Sequence, residues 1–332
     1  MKIVRIIIGC FLIFCVCFTA FFGRYRIGEE GNGGQKTEYK GILKMWQIDG
    51  FEGGAGSRKQ FLLKMARGFE KDNDGVLIMV TDYTVSGAEE NIKNGVYPDI
   101  ISYANGFDIS GAIEIHPNRK TSSCMVGDKA YATVWCRGGY VLISNPALTV
   151  KALPDKPIEN LLVSQCEYTQ PLTALILEGI SVKGLELKKP MDAYVKFVSG
   201  KTPYFLATQR DVVRLQNRGM NVNVYPLKEY NDLYQYVSVT AVEEIKSIYA
   251  KKFVDYLVSD KVQNALKEIK MFSEYVNVDY HDEQYVNIQS VRNLKTISLF
   301  TAKAELKELQ RISSLYFDGH TEYINKIKNM LV

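Results

Sequence analysis

The side chains with the clearest chemical potential in this sequence are aromatic, amide and charged groups close to the ends of predicted strands. Aromatic rings stack on the apolar faces of ring-shaped solutes, while amides, carboxylates and guanidinium groups hydrogen-bond hydroxyls. Such a set recognises a solute without making or breaking a bond, although core packing is an equally good role for any single ring. The candidates are Trp46, Gln47, Asp49, Tyr83, Tyr103, Trp135, Tyr140, Tyr168, Gln209, Arg210 and Tyr236.

Few residues in this chain are arranged in a way that is typical of a catalytic site. Only three histidines occur among 332 residues, and none lies in a GxSxG or HExxH motif. The pairs Glu89-Glu90 and Glu243-Glu244 fall in predicted helices, where adjacent carboxylates are typical of a solvated face. We therefore expect a protein that is not an enzyme, with no metal site and no cofactor.

A glycine-rich segment, residues 50–56, is the one feature that could suggest a nucleotide site. It lacks both the Lys-Ser/Thr pair of a phosphate-binding loop and the spacing of a dinucleotide fingerprint.

Three other polar residues could have either a structural or a ligand-binding role. Thr208 or Asp211 could simply cap a helix, and Arg137 could clamp an anionic group or pair with a surface acid.

Composition narrows the functional class further. The chain has 41 Lys and Arg against 37 Asp and Glu, a net charge of +4, which does not indicate a nucleic-acid binder. Hydrophobic residues make up 46% and charged residues 23%, which is typical of a globular protein. Its length suits two α/β lobes, and its 21 tyrosines are an excess that the function has to explain.

The N-terminus predicts export. Lys2 and Arg5 precede an uncharged run over residues 6–23, longer than a usual signal-peptide core and just long enough for a membrane span. We expect residues 1–23 to be a signal peptide or membrane anchor and residues 24–40 a flexible stalk. Lipidation or retention of the leader stays open, and the cysteines concerned are Cys10, Cys15 and Cys17.

Three cysteines lie beyond the leader. Their odd number and wide spacing argue against a disulfide framework, and no CxxC or nearby histidine suggests zinc. A hairpin turning at Gly127-Asp128 would place Cys124 opposite Tyr131, so a bridge from Cys124 to Cys136 is disfavoured. We expect Cys124, Cys136 and Cys166 to be small buried side chains.

The elements that must position these residues alternate along the chain. Strands are predicted at 42–48, 76–80 and 98–101, with a helix capped by Ser57 and a second over 88–94, which is the pattern of a parallel sheet covered on both faces. A β-rich stretch, 129–144, precedes a second α/β unit. Its strands are expected at 204–207 and 221–227, and its helix at 211–218. One more strand is expected at 236–241, followed by helices that include 243–258 and 260–270.

Four segments resemble the maltose-binding-like (family 1) group of extracellular solute-binding proteins of ABC importers. They are LKMW (43–46) with the helix over 58–70, GVYPDII (95–101), YATVWCRGGYVLISN (131–145) and FVDYLVSDKVQ (253–263). The order of the four segments makes the resemblance specific. The exported part is shorter than is usual for this group, so peripheral helices are expected to be missing.

The resemblance implies a two-lobed periplasmic-binding-protein-like fold of type II, with a mixed sheet flanked by helices in each lobe and a helical C-terminus. It implies a first lobe over 41–136 plus 240–272 and a second over 137–239 plus 273–332. A solute would lie in the cleft between the lobes, outside the carboxyl ends of parallel strands, and would be enclosed by a hinge motion. The ligand-binding residues would then be Trp46, Gln47, Asp49, Tyr83, Tyr103, Trp135, Tyr140, Gln209, Arg210 and Tyr236.

The function that the resemblance implies is capture of a small solute, a sugar or oligosaccharide, for an ABC importer. Its partners would be the solute and the permease's transmembrane subunits, at the extracellular face of the cell membrane, with the N-terminus as a tether. The alternative is a membrane-anchored sensor that presents a solute to a receptor kinase. An exported hydrolase is a third hypothesis, and it would require clustered carboxylates or a His-paired nucleophile in the cleft.

Overall fold

The computed structural model describes residues 39–109, 111–149, 153, 156–292 and 294–332, and residues 40–332 form one compact unit. The predicted leader, its three cysteines and nearly all of the predicted stalk lie outside the described residues. None of the helices in the described ranges is long and apolar enough to cross a membrane.

Twelve strands and ten α-helices occur in the described part of the chain. The strands are β1 (Gly41–Ile48), β2 (Val76–Tyr83), β3 (Ile100–Tyr103), β4 (Met125–Val126), β5 (Lys129–Ala130), β6 (Thr133–Arg137), β7 (Tyr140–Ser144), β8 (Ile158–Ser164), β9 (Val182–Lys188), β10 (Tyr204–Thr208), β11 (Asn223–Pro226) and β12 (Tyr234–Val239). The helices are α1 (Arg58–Glu70), α2 (Val85–Lys93), α3 (Pro171–Glu178), α4 (Pro190–Val198), α5 (Gln209–Asn217), α6 (Glu244–Leu257), α7 (Asp260–Ala265), α8 (Glu283–Ser290), α9 (Lys303–Phe317) and α10 (Ile324–Asn329).

Ten of the strands form two five-stranded sheets with the same internal order. In the first sheet, β2-β1-β3-β12-β6, the strands β2, β1 and β3 are parallel and β12 is antiparallel to both of its neighbours. In the second, β9-β8-β10-β7-β11, the strands β9, β8 and β10 are parallel and β7 is antiparallel to its neighbours. Each sheet is therefore a βαβαβ unit extended by two strands, of which only the inner one, β12 or β7, runs in the opposite direction. Each half of the chain contributes this inner strand to the sheet of the other half.

The chain passes from one sheet to the other at two adjacent places. Gly138 and Gly139 connect β6 to β7, and residues 227–233 connect β11 to β12. The Gly138 amide donates to the Leu233 carbonyl at 2.7 Å, so the two passages run side by side. A Cβ on Gly139 would lie 2.9 Å from Ile288 Cγ2, which leaves no space for a side chain there.

Each sheet has its own hydrophobic core. The first contains Trp46, Ile48, Tyr103, Val134 and Tyr236. The second contains Val141, Leu162, Phe197 and Phe205 together with Phe272, Tyr285 and Ile288 from the C-terminal part of the chain. Residues 272–288 thus complete the second core, although they are separated from β10 by more than 60 residues of sequence.

The local predictions agree closely with these elements. Ser57 is the N-cap of α1, and its hydroxyl accepts a hydrogen bond from the Gln60 amide at 3.3 Å. The Tyr131 amide donates to the Cys124 carbonyl, which confirms the predicted hairpin pairing. Cys124 and Cys136 are buried free thiols, as expected, whereas Cys166 is only partly buried.

One predicted boundary needs correction. Residues 234–239 were expected within the second lobe, but they form β12, which pairs with β3 and β6 in the first sheet. Burial pattern could not reveal this assignment, because every residue of β12 is buried and either sheet could accommodate such a strand.

A buried ion pair holds the first passage to the C-terminal part of the chain. Arg137 is 2% exposed and its Nε lies 2.8 Å from Oε2 of Glu274, whose side chain is 10% exposed. Arg137 Nη2 also donates to the carbonyls of Gln289 and Val291, at 2.8 and 2.9 Å. Of the two roles considered for Arg137, pairing with an acid is the one observed, and the acid is nearly buried.

We predict that Glu274→Gln lowers the free energy of unfolding by about 3–5 kcal/mol, because it leaves the Arg137 charge buried without its counter-ion. Chemical denaturation monitored by fluorescence measures this change. The matched control is Glu268→Gln, which breaks the exposed pair with Lys64 and is expected to cost less than about 1 kcal/mol. Equal costs for the two substitutions would contradict the role given to Arg137.

Candidate functional site

A cavity of about 510 Å³ lies where the two sheets face each other. The first sheet contributes the loop that follows β1, and the second contributes Cys166, two residues after β8, and Arg210, two residues after β10. All three strands belong to the parallel part of their sheet, so the cavity lies at the carboxyl ends of parallel strands from both lobes. Its lining residues are Asp49, Gly50, Phe51, Glu52, Gly53, Gly56, Ser57, Arg58, Cys166 and Arg210.

Arg58 organises the first-lobe side of the cavity. Its side chain is 6% exposed, and its Nε lies 2.6 Å from Asp49 Oδ1. Nη2 donates to the Phe51 carbonyl, and the guanidinium lies 4.5 Å from the centroid of the Phe51 ring. Arg58 Nη1 is buried and has no hydrogen-bond partner. A buried donor without an acceptor is costly, so this atom is a place where a ligand or water oxygen would be stabilising.

Glu52 joins the first-lobe loop to the second lobe. Its Oε2 lies 2.8 Å from Arg214 Nη1 and 3.4 Å from Arg210 Nε. Its backbone carbonyl accepts a hydrogen bond from Thr208 Oγ1 at 3.2 Å. Beside this cluster, burial raises the pKa of Asp211 to about 6, although Arg214 counteracts the shift. The two lobes are therefore closed on each other along this side of the cavity.

A second contact closes the lobes further along the cleft. Gly106, in the loop after β3, lies against the Tyr168 ring, because a Cβ at position 106 would be 2.2 Å from Tyr168 Cγ. Glu89 of α2 and Lys303 of α9 form an ion pair in the same region. Beside them is a second cavity of about 520 Å³, lined by residues of α2, the loop 106–109 and the segment 299–303.

Four of the predicted ligand-binding aromatics lie in the first core. Trp46, Tyr103 and Tyr236 belong to the hydrophobic cluster of the first sheet, and Trp135 stacks on Phe61 at 5.8 Å. Trp135 Nε1 donates a hydrogen bond to Ser102 Oγ, and the Tyr103 hydroxyl is hydrogen-bonded to Ser238 Oγ, so these two polar groups have protein partners. Trp46 and Trp135 lie within their strands, not at the strand ends. Tyr83 is partly buried and packs on Trp46 at 4.8 Å.

The other predicted residues lie closer to the cavity. Asp49 and Arg210 line it directly. Tyr140 lines an adjoining void of about 10 Å³. Gln47 donates to Asp49 at 2.8 Å, and the buried Gln209 accepts from the Gly139 amide at 3.0 Å. Whether the predicted residues contact a ligand stays a prediction. Of this set, only Asp49 and Arg210 line the cavity of about 510 Å³.

Eight of the ten lining residues are not among the ligand-binding residues predicted from the sequence, and they include Phe51, Glu52, Arg58 and Cys166. Glu52 and Phe51 lie inside the glycine-rich segment, and Arg58 follows the correctly predicted helix cap. The strand-to-helix loop was therefore a usable signal, because side chains that border such a loop face the carboxyl end of the sheet. Within the described residues, no group of three or more His, Cys, Asp and Glu side chains is arranged to hold a metal ion.

Asp232 lies in the second passage between the sheets and is buried. Its Oδ1 accepts a hydrogen bond from the Tyr140 hydroxyl at 2.7 Å, and its Oδ2 accepts one from the Gln170 amide at 2.9 Å. Burial raises the pKa of Asp232 to about 7, against the opposing effect of these hydrogen bonds. The carboxyl thus connects β7 and the start of α3 to the passage before β12.

Comparisons with known proteins identify the fold. No protein-family model matches the chain, and no curated protein matches it. Solved structures do match. The sugar-binding protein MalE from Xanthomonas citri is similar over 87% of this chain and 95% of its own, with 12% identity and a TM-score of 0.59. An ABC transporter structure from Clostridium perfringens is similar over 84% of this chain and 99% of its own, with 14% identity and a TM-score of 0.57.

A third similar structure is described as a two-component system protein that mediates signal transduction. It matches 81% of this chain and 100% of its own, with 15% identity and a TM-score of 0.53. Together with the strand order of the two sheets, these matches show that the chain has the two-lobed, maltose-binding-like solute-binding protein fold.

We predict that stability falls as pH rises from about 4 to about 7, partly because of Asp232. Its folded pKa of about 7 exceeds the unfolded value near 3.9, so in this interval the folded protein holds a proton that the unfolded chain has lost. The contribution is present below the unfolded pKa and is lost as pH passes the folded one. The slope from one such group reaches about 1.4 kcal/mol per pH unit.

Asp232→Asn should flatten this slope, and the remainder should reflect Asp211 and Asp82, whose pKa values burial raises in the same direction. Denaturation curves collected across this pH range measure the effect. Asp72→Asn, at an exposed position, is the control and should leave the slope unchanged. A profile for Asp232→Asn that is as steep as the unsubstituted protein's would contradict the assignment.

Proposed function

We propose that this chain is a solute-binding protein that captures a small solute between its two lobes and delivers it to an ABC permease. The observation that carries the proposal is the cavity of about 510 Å³ lined by both lobes at the carboxyl ends of parallel strands. Binding at this position requires opening and closing about the passages of the chain between the lobes, which include Gly138–Gly139 and residues 227–233. In this proposal the protein makes and breaks no bond.

The sugar or oligosaccharide expected from the resemblance has support from the Xanthomonas citri protein, which is described as sugar-binding. The cavity supports a small, polar solute, because four of its ten lining residues are charged. Among the sequence-predicted residues, Asp49 and Arg210 line the cavity, and Arg210 is the one that we propose to contact the solute.

Export and tethering form the second part of the proposal. The uncharged run over residues 6–23 supports a leader or anchor that places the protein at the extracellular face of the cell membrane. Permease transmembrane subunits would then be the protein partners. The similar structure from Clostridium perfringens, which is described as an ABC transporter, supports this role.

A second candidate function keeps the same cleft and changes the partner. The similar structure described as a two-component signal-transduction protein supports a sensor that presents its bound solute to a membrane receptor kinase. Co-purification from membranes separates the two candidates: a permease subunit should be recovered with a transporter component, and a histidine kinase with a sensor.

Binding itself is tested by thermal-shift and calorimetric titration of the purified protein against sugars, amino acids, polyamines and organic acids. A ligand that binds only the folded state raises the unfolding temperature in a saturable way, and the gain is about 2.7 kcal/mol at one hundred times its Kd. Absence of a saturable response to every solute class would contradict the proposed function.

We predict that a bound solute slows alkylation of Cys166, because this partly buried thiol lines the cavity. Burial raises the pKa of the Cys166 thiol to about 11, so labelling is slow and depends on opening of the cleft. Peptide mapping after treatment with N-ethylmaleimide measures the rate, and the buried Cys124 and Cys136 serve as internal references. A rate that does not change at saturating solute would exclude binding in this cavity.

A further inference from the structure

The donors and acceptors of the cavity are unequally engaged. The two carboxylates in the lining already have close cationic partners: Asp49 lies 2.6 Å from Arg58 Nε, and Glu52 lies 2.8 Å from Arg214 Nη1. Asp49 also accepts a hydrogen bond from Gln47 at 2.8 Å. The negative charge of each carboxylate is therefore already balanced by a cation, through one oxygen of each group, Asp49 Oδ1 and Glu52 Oε2.

The guanidinium donors, in contrast, are incompletely used. Arg58 Nη1 is buried, lies on a side chain that is 6% exposed, and has no hydrogen-bond partner. Arg210 is 30% exposed, and its contacts with Glu52 and the Gly54 carbonyl are both 3.4 Å long. Charge-assisted bonds are usually about 2.7–2.9 Å long, so Arg210 can turn toward a ligand at little cost, while Glu52 keeps Arg214.

The backbone of the first lobe favours the same sign of charge. Helix α1 begins at Arg58, and Gly56, Ser57 and Arg58 all line the cavity. Its first turn carries no acidic residue, so the partial positive charge of this helix end is not neutralised within the turn. The helix end and the unpartnered donor of Arg58 are independent features that act at one place.

An aromatic platform for a sugar ring is poorly developed. Phe51 is the single aromatic residue in the lining, and the Arg58 guanidinium already lies over its ring. Trp46, Trp135 and Tyr103 are enclosed in the first lobe. A sugar ring could therefore stack only on Phe51, whose ring is already in contact with Arg58. Hydrogen bonds to a ligand, in contrast, could be donated by two guanidinium groups and a helix end.

We propose that the solute captured in this cleft is a small anion, with a carboxylate or phosphate group that accepts hydrogen bonds from Arg58 and Arg210. The inference rests on the proposed solute-binding function and specifies the class of its ligand. The anionic group lies between the start of α1 in the first lobe and the start of α5 in the second. Its oxygens bridge the two lobes and stabilise the closed arrangement.

The test compares probes that share a ring and differ in charge. Glucose, glucuronate and glucose 6-phosphate are titrated against the purified full-length protein by thermal shift and calorimetry, alongside maltose, citrate, glutamate and inorganic phosphate. We expect saturable stabilisation by at least one anionic probe, and none by glucose or maltose. A response confined to glucuronate, citrate or glutamate identifies a carboxylate ligand, and one confined to glucose 6-phosphate or phosphate identifies a phosphate ligand.

Arg210→Gln is the deciding variant, because Arg210 is partly exposed and its removal leaves Glu52 paired with Arg214. We expect it to weaken binding of the anionic probe at least about ten-fold, the effect of losing one charge-assisted hydrogen bond. Arg218→Gln, just after the other end of α5, is the matched control and should change affinity less than about two-fold. Arg58→Gln should weaken binding as well, and its urea midpoint reports whether loss of the Asp49 pair has unfolded the protein instead.

The binding results distinguish the anionic class of the ligand from solute capture itself. If a neutral sugar binds saturably and anions do not, or if Arg210→Gln leaves anion binding unchanged, the anionic class is overturned while solute capture stands. If no probe of either class binds, both are overturned. General stabilisation of proteins by phosphate does not saturate and is the same in both arginine variants, so it counts against the inference.

Discussion

The arrangement of the whole protein depends on two passages of the chain that lie side by side and are hydrogen-bonded through Gly138 and Leu233. Because the chain leaves the first sheet after β6 and returns only at β12, each sheet includes an antiparallel strand that the other half of the chain delivers. Neither sheet can be completed locally. Glycines at 138 and 139 suit the close approach of the passages, since a Cβ at 139 would lie 2.9 Å from Ile288 Cγ2 and one at 138 would lie 3.2 Å from Leu233 Cβ.

Buried charged groups stabilise these passages. Arg137 reaches from the end of β6 to Glu274 and to two carbonyls of the C-terminal segment. Asp232 joins the second passage to Tyr140. These buried contacts hold the two passages in place. The contacts that close the cleft are instead partly exposed ion pairs, such as that of Glu52 with Arg210. Closure contacts of small net stability are what a binding protein needs, because a ligand shifts the equilibrium only by its difference in affinity for the two states.

The sequence was informative where a feature is local and failed where several elements must meet. Helix caps, the βαβ order and the hairpin register are set by neighbouring residues, and Ser57 and the Cys124 pairing were correctly predicted for that reason. The lobe predicted for β12 was wrong, because the sequence of a strand that is buried on both faces does not indicate which strands it pairs with. The cavity lining was partly predictable: Asp49 and Arg210 follow parallel strands directly, but the unpartnered nitrogen of Arg58 exists only once the loop 49–57 has folded over it.

The excess of tyrosine has a structural explanation that bears on the ligand. Several of these rings fill the cores while their hydroxyls are satisfied internally: Tyr103 bonds Ser238, Tyr140 bonds Asp232, and Tyr280 bonds the Met271 carbonyl. Tyrosine suits such positions because it adds apolar area and brings a polar group that reaches a partner. Tyrosines that are buried in this way cannot stack on a solute in the cavity that Arg58 and Arg210 line. For this reason the two arginines, and not aromatic rings, are the groups that we propose for solute recognition.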